Sequence, residues 1–452
     1  MNPTTVIKDC AIVTMDGGRT EHRTGCVVVR GNRIRSVQAG PAPVIEGARV
    51  VDGSGCVLTP GLVNTHHHLY QWVTRGLAVD STLFDWLTTL YPVWAGIDEQ
   101  AVNVAAKGGL AWLARTGCTL SSDHHYVFPR EGGDVFAATI EAARSVGLRF
   151  HPARGSMDLG RSQGGLPPDQ VVEDRDAALC ATEAAITRWH DPRPDAMLRV
   201  AVAPCSPFSV TGELMREAAE LARRMGVLLH THLAETLDED SFCQERFGCS
   251  PLDYAESLGW TGGDVWLAHG IHLDDTAVKR IGATSTGIAH CPTSNARLGA
   301  GICRARDLSE AGARVGLGVD GAASNESASL LEEARHALLF ARAKGGPQAL
   351  AVRDALEMAT IGGARVLGRS ADLGSIEVGK LADLALWRID TIAHAGIQDP
   401  VAALVLGSQP PLELLLVDGR AVVEHDRVVT VDEPLIAREV ASVQQHLIRK
   451  AG

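Results

Sequence analysis

The stretch Gly61–Gln71 reads GLVNTHHHLYQ, and its three consecutive histidines directly follow the short apolar run LTPGLV. Such a run predicts a buried strand, with the histidines at its carboxyl end. In a strand, residues i and i+2 point to the same face. His66 and His68 are therefore expected to face one point, while His67 faces away. Their function depends on which other segments bring side chains to that point.

The composition is that of an ordinary globular protein. The chain has 452 residues, of which 45% are hydrophobic and 21% are charged. Its net charge of −12 argues against electrostatic binding to nucleic acid or to an anionic membrane. No apolar run approaches the roughly 20 residues that span a bilayer. The ten cysteines are scattered, without a CxxC pair, and we expect them to be reduced thiols in a cytoplasmic protein.

The two ends of the chain share one pattern of short alternating strands, separated by Gly-Asn and Asp-Gly turns. They are expected to pair into one small β-sandwich domain, formed by residues 1–57 and 371–452. The second of these segments also carries a terminal helix.

The middle segment, residues 58–370, alternates apolar runs with helical patterns such as Glu99–Arg115. The candidate strands are LTPGLV, GCTLSS, LRFHPA, RVAVAP, VLLHTH, VWLAHG, TGIAHC and RVGLGVD. Strands that alternate with helices predict a parallel sheet, and this number of strands predicts a (β/α)8 TIM-like barrel. The predicted fold class is therefore α/β, with an open, doubly wound sheet as the competing topology.

Histidine and acidic side chains collect at the predicted strand ends, where the reacting groups of barrel enzymes lie. They are His66, His67, His68, Asp123, His124, His125, His230, His232, His269, His290 and Asp320, with Cys205 at the end of the fourth strand. A single histidine at a strand end is usually a hydrogen-bonded structural residue. The coincidence across several strands indicates a shared site.

A nitrogen-rich metal site with one oxygen ligand follows from these positions. The predicted ligands are His66, His68, His232 and Asp320. That set suits Zn²⁺, with Fe²⁺ as the alternative. His230 is the alternative ligand on the fifth strand, but His232 is preferred because it lies at the very end of that strand.

Glu235, in the sequence HTHLAE, lies one loop beyond His232 and within reach of a water molecule on the metal. A metal-bound water has a pKa of about 7 at a favourable zinc site, and a nearby carboxylate can carry its proton to a leaving group. His269, on the adjacent strand, is placed to hydrogen-bond the attacking oxygen. The alternative interpretation of Glu235 is a solvated helix-capping residue.

Five motifs in this order resemble those of the amidohydrolase superfamily: PGLVNTHHH, HTHLAE, LAHG, HCPTSNARL and GLGVDGAASN. More narrowly, they resemble its cytosine/guanine-deaminase-like branch, which includes triazine hydrolases. The resemblance covers essentially the whole chain. It implies one divalent metal, usually zinc, on the four ligands named above, with Glu235 as the proton shuttle and His269 assisting the hydroxide.

Within this branch, HHHLYQ, LFDWLTTLYPVW, SSDHHYVFP and APCSPFSVT favour a hydrolytic deaminase of an oxidised purine. In the implied reaction, hydroxide on the metal attacks the ring carbon that bears the amino group, and Asp320 accepts the proton released as that hydroxide forms. The alternatives are hydrolases of isocytosine, guanine, a pterin or a hydroxytriazine, and a metal-binding paralogue without catalysis. The expected partner is a small heterocyclic base, and the resemblance implies a dimer or larger homo-oligomer.

Four side chains near the predicted mouth are candidates for substrate binding. Gln71 offers a donor and an acceptor to the edge of a ring, and Trp86 is suited to stack on the ring or line the pocket. His125 and Cys205 stand at the ends of the second and fourth strands. Packing or loop structure is the alternative role for each of the four.

Overall fold

The computed structural model describes residues 3–451 of the chain. Its strands are β1 (Thr4–Val13), β2 (Glu21–Arg30), β3 (Arg33–Ala39), β4 (Arg49–Asp52), β5 (Cys56–Pro60), β6 (Leu62–Asn64), β7 (His67–His68), β8 (Cys118–His125), β9 (Arg149–Ser156), β10 (Ala201–Pro204), β11 (Leu229–Leu233), β12 (Val265–His269), β13 (Gly287–His290), β14 (Arg314–Leu317), β15 (Asp320–Gly321), β16 (Leu384–Arg388), β17 (Leu412–Val417), β18 (Arg420–Glu424) and β19 (Arg427–Val428).

Helices follow most of the strands in the middle of the chain, and the last two helices lie in the carboxyl-terminal segment. They are α1 (Leu83–Trp94), α2 (Glu99–Arg115), α3 (Val135–Val146), α4 (Arg175–Trp189), α5 (Gly212–Met225), α6 (Leu237–Phe247), α7 (Pro251–Ser257), α8 (Asp275–Ala283), α9 (Pro292–Arg297), α10 (Ala305–Ala311), α11 (Leu330–Gly345), α12 (Val352–Glu357), α13 (Gly363–Val366), α14 (Pro400–Leu406) and α15 (Glu433–Ala451). A 3₁₀ turn covers Leu69–Thr74. None of the helices within residues 3–451 has the length and apolar character needed to cross a bilayer.

Eight strands of the middle segment form a parallel sheet in the order β6-β8-β9-β10-β11-β12-β13-β14. All eight fall within the apolar runs recognised in the sequence or overlap them. The first and last strands meet where Thr65 donates its N–H to the carbonyl of Leu317 at 2.9 Å, and where β7 pairs with β15. The predicted barrel is therefore confirmed, and the open sheet is excluded.

Strands from both chain ends form a second sheet, in the order β19-β18-β17-β16-β5-β1-β2-β3, with β4 pairing to β1. β1 changes partner along its length, because its first half runs parallel to β4 and its second half parallel to β5. The carboxyl-terminal part joins through β16, which pairs antiparallel with β5. The two ends thus form one small β domain with its own apolar core, and its strands make one continuous hydrogen-bonded sheet. The exact boundaries at residues 57 and 370 stay a prediction.

Local sequence signals set the ends of the helices that lead into the site. α5 begins after Thr211, whose hydroxyl accepts the N–H of Leu214 and satisfies a free donor of the first turn. It ends at Gly226, with φ 68°, a left-handed conformation that glycine adopts without a Cβ clash. The chain therefore returns at once into β11, which carries two of the strand-end histidines.

Arg149, at the start of β9, joins the amino-terminal end of the barrel to the β domain. Its guanidinium donates to both carboxylate oxygens of Asp383 at 2.9 and 3.0 Å, and to the carbonyls of Asp195 and Ala196. The side chains of Arg149 and Asp383 are 0% and 1% exposed. A buried charge costs several kcal/mol unless it is paired, so each partner needs the other.

Asp383→Ala is expected to lower the free energy of unfolding by about 3 kcal/mol, because the buried Arg149 would lose its bidentate counter-charge and keep only the ion pair with Asp418 at 3.1 Å. Unfolding in urea, followed by circular dichroism, measures the change. The control is Arg193→Ala, which breaks an ion pair with Asp191 in which Arg193 is 75% exposed, and it is expected to cost less than about 1 kcal/mol. Equal losses in the two variants would contradict the role given to the buried pair.

Candidate active site

The carboxyl ends of the barrel strands bring the predicted metal ligands together. The Nε2 atoms of His68 and His232 lie 3.1 Å apart. Asp320 Oδ1 lies 3.3 Å from Nε2 of both His66 and His68. A tetrahedral zinc site, with bonds of about 2.0–2.1 Å to imidazole nitrogens, has ligand atoms about 3.3 Å apart. The spacing therefore fits one small divalent cation between these four side chains.

Hydrogen bonds at the far ring nitrogens fix the tautomers of two of these histidines. His68 Nδ1 donates to the carbonyl oxygen of His124 at 2.7 Å, and His232 Nδ1 donates to the carbonyl oxygen of Cys205 at 2.7 Å. A neutral imidazole carries only one ring hydrogen, so the Nε2 atom of each ring is left with a free lone pair. Both lone pairs are directed into the site.

A hydrogen bond to His230 fixes His66 in the same tautomer, with the free lone pair on Nε2. His230 Nδ1 donates to the carbonyl of Trp266 at 2.9 Å, so its Nε2 atom accepts the hydrogen of His66 Nδ1 at 2.8 Å. His66 Nε2 is then unprotonated, and within residues 3–451 it has no hydrogen-bond partner. His230, the alternative ligand, therefore orients His66 from behind, whereas His232 Nε2 lies 3.1 Å from His68 Nε2.

Burial keeps these imidazoles neutral. It lowers the pKa of His66 and His68, and it lowers the pKa of His232 to about 3. Burial opposes the ionisation of Asp320, but the contacts with His66 and His269 hold the pKa of this carboxyl well below its usual value. Three lone pairs and a carboxylate directed at one point repel one another unless a cation lies between them. The donor set therefore fits a divalent metal ion.

Glu235 and His269 stand next to this cluster. Glu235 Oε2 lies 3.5 Å from His269 Nε2, which lies 4.0 Å from Asp320 Oδ2. Burial raises the pKa of Glu235 to about 7. Burial opposes charge on His269, but the carboxylates of Glu235 and Asp320 outweigh it and raise the pKa of His269. Because Glu235 is only 4% exposed, its alternative interpretation as a solvated cap is wrong; Thr236 caps the next helix.

Two residues of the site have left-handed backbone, His269 with φ 73° and Asp320 with φ 61°. This conformation costs a residue with a Cβ roughly 1–2 kcal/mol and persists where surrounding contacts enforce it. Asp320 is held by its own N–H, which donates to the carbonyl of His66 at 3.1 Å. His269 is held by its Nδ1–H, which donates to Asn295 Oδ1 at 2.9 Å.

A small cavity opens beside the cluster. Apart from the cluster itself, its lining residues are Gln71, Leu83, Trp86, Leu87, Tyr91, Tyr126, Cys205, Phe208, Leu298 and Ser324. None of the described residues that line it is an arginine or a lysine. The cavity therefore offers apolar walls, a few neutral polar groups and the chemistry of the cluster at one end.

Gln71 is the neutral polar group with the largest unmet hydrogen-bonding capacity. Its side chain is 0% exposed, and neither amide atom has a partner among the residues described. It sits on the 3₁₀ turn Leu69–Thr74, whose first N–H, from Leu69, donates to Asp123 Oδ1 at 2.7 Å. A buried unpaired polar group costs about 1–3 kcal/mol, which a bound ligand would remove.

Trp86 and Cys205 line the same cavity. The sequence had placed both residues near the mouth of the barrel. Trp86 is fixed by an N–H bond from its indole to the carbonyl of Ala323 at 3.2 Å. Burial raises the pKa of the Cys205 thiol to about 12, so it forms part of the wall as a neutral group. The roles of both in substrate binding stay predictions.

His125 is not among the residues that line the cavity, and its role in substrate binding stays a prediction. Its Nε2–H donates to the carbonyl of Val127 at 2.9 Å, and its ring packs against Tyr70 and Phe128. The physical reason is strand alternation. His124 and His125 are consecutive residues of β8, and His124 turns its ring to stack on His232.

Apart from Trp86, the face of α1 that covers the cavity was missed by sequence reasoning. Leu83, Leu87 and Tyr91 recur every four residues, and Trp86 lies between them, so helical periodicity places all four on one side of the helix. That side covers the cavity. Tyr126, Phe208, Leu298 and Ser324 carry no comparable signal, because loops bring them in.

Comparisons with known proteins agree with this geometry. Residues 57–422 match the Amidohydrolase family. The chain is 45% identical to the 8-oxoguanine deaminase of Pseudomonas aeruginosa, over 98% of each sequence. It is 36% identical to an isoxanthopterin deaminase from an unknown prokaryotic organism, over 99% of this chain and 98% of the relative.

Among solved structures, a zinc complex of atrazine chlorohydrolase from Arthrobacter aurescens TC1 matches with a TM-score of 0.93. The two chains are 32% identical, and the match covers 97% of this chain and 100% of that one. The barrel and the split β domain are therefore shared as one arrangement.

His68→Ala is expected to reduce bound metal far below the wild-type content, because the site loses one of its lone-pair donors. Metal is measured by mass spectrometry on protein purified without added chelator. His446→Ala is the control, since His446 lies on the exposed side of α15 and is expected to leave the content unchanged. Full occupancy in His68→Ala would rule out His68 as a ligand.

Proposed function

The chain belongs to the amidohydrolase family, and on that premise we propose that it is a metal-dependent hydrolytic deaminase that converts 8-oxoguanine to urate and ammonia. One observation carries the reaction class. Imidazole lone pairs and the Asp320 carboxylate converge at the end of a cavity that also contains Glu235. The identity of 45% with an 8-oxoguanine deaminase supports the substrate.

Zn²⁺ is the proposed ion, with Fe²⁺ as the alternative, and its proposed ligands are the four side chains that the strand ends predict. They are His66, His68, His232 and Asp320. When bound there, such an ion supplies a nucleophile near neutral pH, because it lowers the pKa of water to roughly 7. The zinc complex of a structural neighbour supports the choice of metal.

Three side chains around this position handle protons and orient the reactants. Asp320 turns Oδ1 to the histidines and Oδ2 towards His269, so one carboxylate oxygen is free to accept a proton. Glu235, with its pKa raised to about 7 by burial, is suited to deliver one proton of the attacking water to a ring nitrogen, while Asp320 accepts the other and passes it to the departing ammonia. His269 Nε2 orients the attacking water.

The cavity fits a flat, uncharged base. Aromatic and aliphatic walls from α1, with Phe208 and Leu298, favour a planar ring. Gln71 supplies a donor and an acceptor for one edge of that ring. We therefore propose a free heterocyclic base as the ligand and a place in purine metabolism. Cytoplasmic location and homo-oligomer formation stay predictions.

The runner-up is a hydrolase of another amino heterocycle, such as isocytosine, guanine, a pterin or a hydroxytriazine. Its support is the identity of 36% with an isoxanthopterin deaminase across almost the whole chain. A metal-binding paralogue without catalysis is disfavoured, because Glu235 and His269 add proton-handling groups that binding alone does not require.

A substrate panel tests the proposal. Ammonia release is measured from 8-oxoguanine, guanine, isocytosine, isoxanthopterin and hydroxyatrazine, with zinc-loaded protein. We expect 8-oxoguanine to give the highest kcat/KM and its product to show the absorbance spectrum of urate. Turnover of guanine without turnover of 8-oxoguanine would defeat the substrate choice, and inertness towards the whole panel would defeat the reaction class.

Glu235→Gln is expected to keep the metal and lose about 100- to 10,000-fold in kcat, since an amide cannot carry the proton. Steady-state ammonia release and metal content are measured on the same preparation. Asp238→Asn, on the exposed first turn of α6, is the control and should retain wild-type kcat. A Glu235→Gln enzyme with the wild-type rate would show that the proton moves by another route.

A further inference from the structure

Glu239 lies directly behind Glu235, away from the cavity. It belongs to the first turn of α6 and its side chain is fully buried. Its Oε1 accepts the N–H of Ala234 at 2.9 Å, and its Oε2 accepts the N–H of Glu235 at 3.0 Å. One carboxylate thus binds two successive peptide groups, the second of which belongs to the proposed proton carrier.

The same backbone is held from the opposite side by the loop that follows β12. The carbonyl of Ala234 accepts the N–H groups of Ile271 at 2.8 Å and His272 at 3.0 Å. The carbonyl of Leu233 accepts the N–H of Gly270 at 3.1 Å. Glu239 and the loop after His269 therefore clamp the Ala234 peptide between them.

The clamp holds a conformation that the chain would not keep unaided. Ala234 has φ 53°, in the left-handed region, which is strained for a residue with a Cβ. Such a residue persists only where several contacts over-determine it. Glu235 departs from this backbone, and the loop that clamps it continues directly from His269. The distance of 3.5 Å between the Glu235 carboxylate and His269 Nε2 therefore depends on the clamp.

We propose that Glu239 is a positioning residue for deamination: its carboxylate fixes residues 234 and 235 so that the Glu235 side chain stays at the reacting end of the cavity. The proposal rests on the proton-carrying role proposed for Glu235. It also makes a separate claim about backbone geometry, which holds or fails whatever the substrate.

Glu239→Ala removes both acceptors and tests this claim. We expect kcat to fall about 10- to 100-fold, the usual cost of losing a group that orients a reacting one, while KM stays within about threefold. Metal content should not change. The solvent deuterium isotope effect on kcat should increase, because a displaced Glu235 makes proton transfer slower. Glu239→Gln keeps one acceptor oxygen and should give an intermediate kcat.

Thr236→Ala is the matched control. The Thr236 hydroxyl caps the same helix by accepting the N–H of Glu239 at 3.4 Å, so its loss weakens the start of α6. It leaves the N–H groups of residues 234 and 235 with their acceptors. Its kcat, measured well below the melting temperature, is expected to equal that of the wild type. An equal fall of kcat in Thr236→Ala and Glu239→Ala would assign the effect to helix stability and overturn the proposal.

Crystal structures of the wild type and of Glu239→Ala give a readout that does not depend on turnover. The expected result is a Glu235 carboxylate that leaves its place beside His269 Nε2 in the variant. If Glu239→Ala does not fold, Glu239→Gln takes its place in the same comparison. A carboxylate that stays in place, or a displaced carboxylate with an unchanged kcat in an active enzyme, overturns the proposal. If the wild type deaminates nothing on the panel, the proposed function fails and the displacement alone decides the role of Glu239.

Discussion

The carbonyl oxygens of His124, Cys205 and Trp266 accept hydrogen bonds from imidazoles at the mouth of the barrel, and the chemistry of the site depends on them. Two bind the Nδ1 hydrogens of His68 and His232 directly, and the third acts on His66 through His230. Each bond moves the free lone pair to Nε2 and directs it inward. The outer contacts of the histidines thus prepare these rings to bind a metal ion.

Burial then separates the acid–base properties of groups that lie a few ångströms apart. It keeps the inward-facing imidazoles neutral and raises the pKa of Glu235 towards neutrality. Burial also opposes the ionisation of Asp320, but the contacts of this carboxyl with the surrounding histidines outweigh burial and keep its pKa well below the usual value. Groups with such divergent pKa values can divide the tasks of binding a cation and moving a proton. The apolar walls of the cavity produce this division, because they exclude the water that would level the differences.

The periodicity of apolar and polar residues explains which parts of the barrel and of the site could be predicted from the sequence. The barrel strands are short apolar runs bounded by turns, and the spacing of His66 and His68 fixes their common face, so both were predictable. The relay through His230 was not, because sequence does not show which acceptor lies behind a ring. The orientation of His125 was not predictable for a related reason. β8 extends beyond the apolar run GCTLSS as far as His125, so which side chain near the strand end faces the cavity depended on where the strand ends. The left-handed conformations of His269 and Asp320 likewise arise from contacts between distant segments.

The closure of the barrel and the metal site share the same residues. β15, which begins at Asp320, pairs with β7 across the seam between the first and last strands, and the N–H of Asp320 binds the carbonyl of His66. An ion held by His66, His68 and Asp320 would therefore tie the two edges of the seam together. Because such ligands gather only in the folded chain, the free energy of metal binding would add to the stability of the barrel. The free energy of metal binding would then offset the strain of the left-handed backbone at Asp320. It would do so at the seam between the first and last strands, where the sheet closes into a barrel.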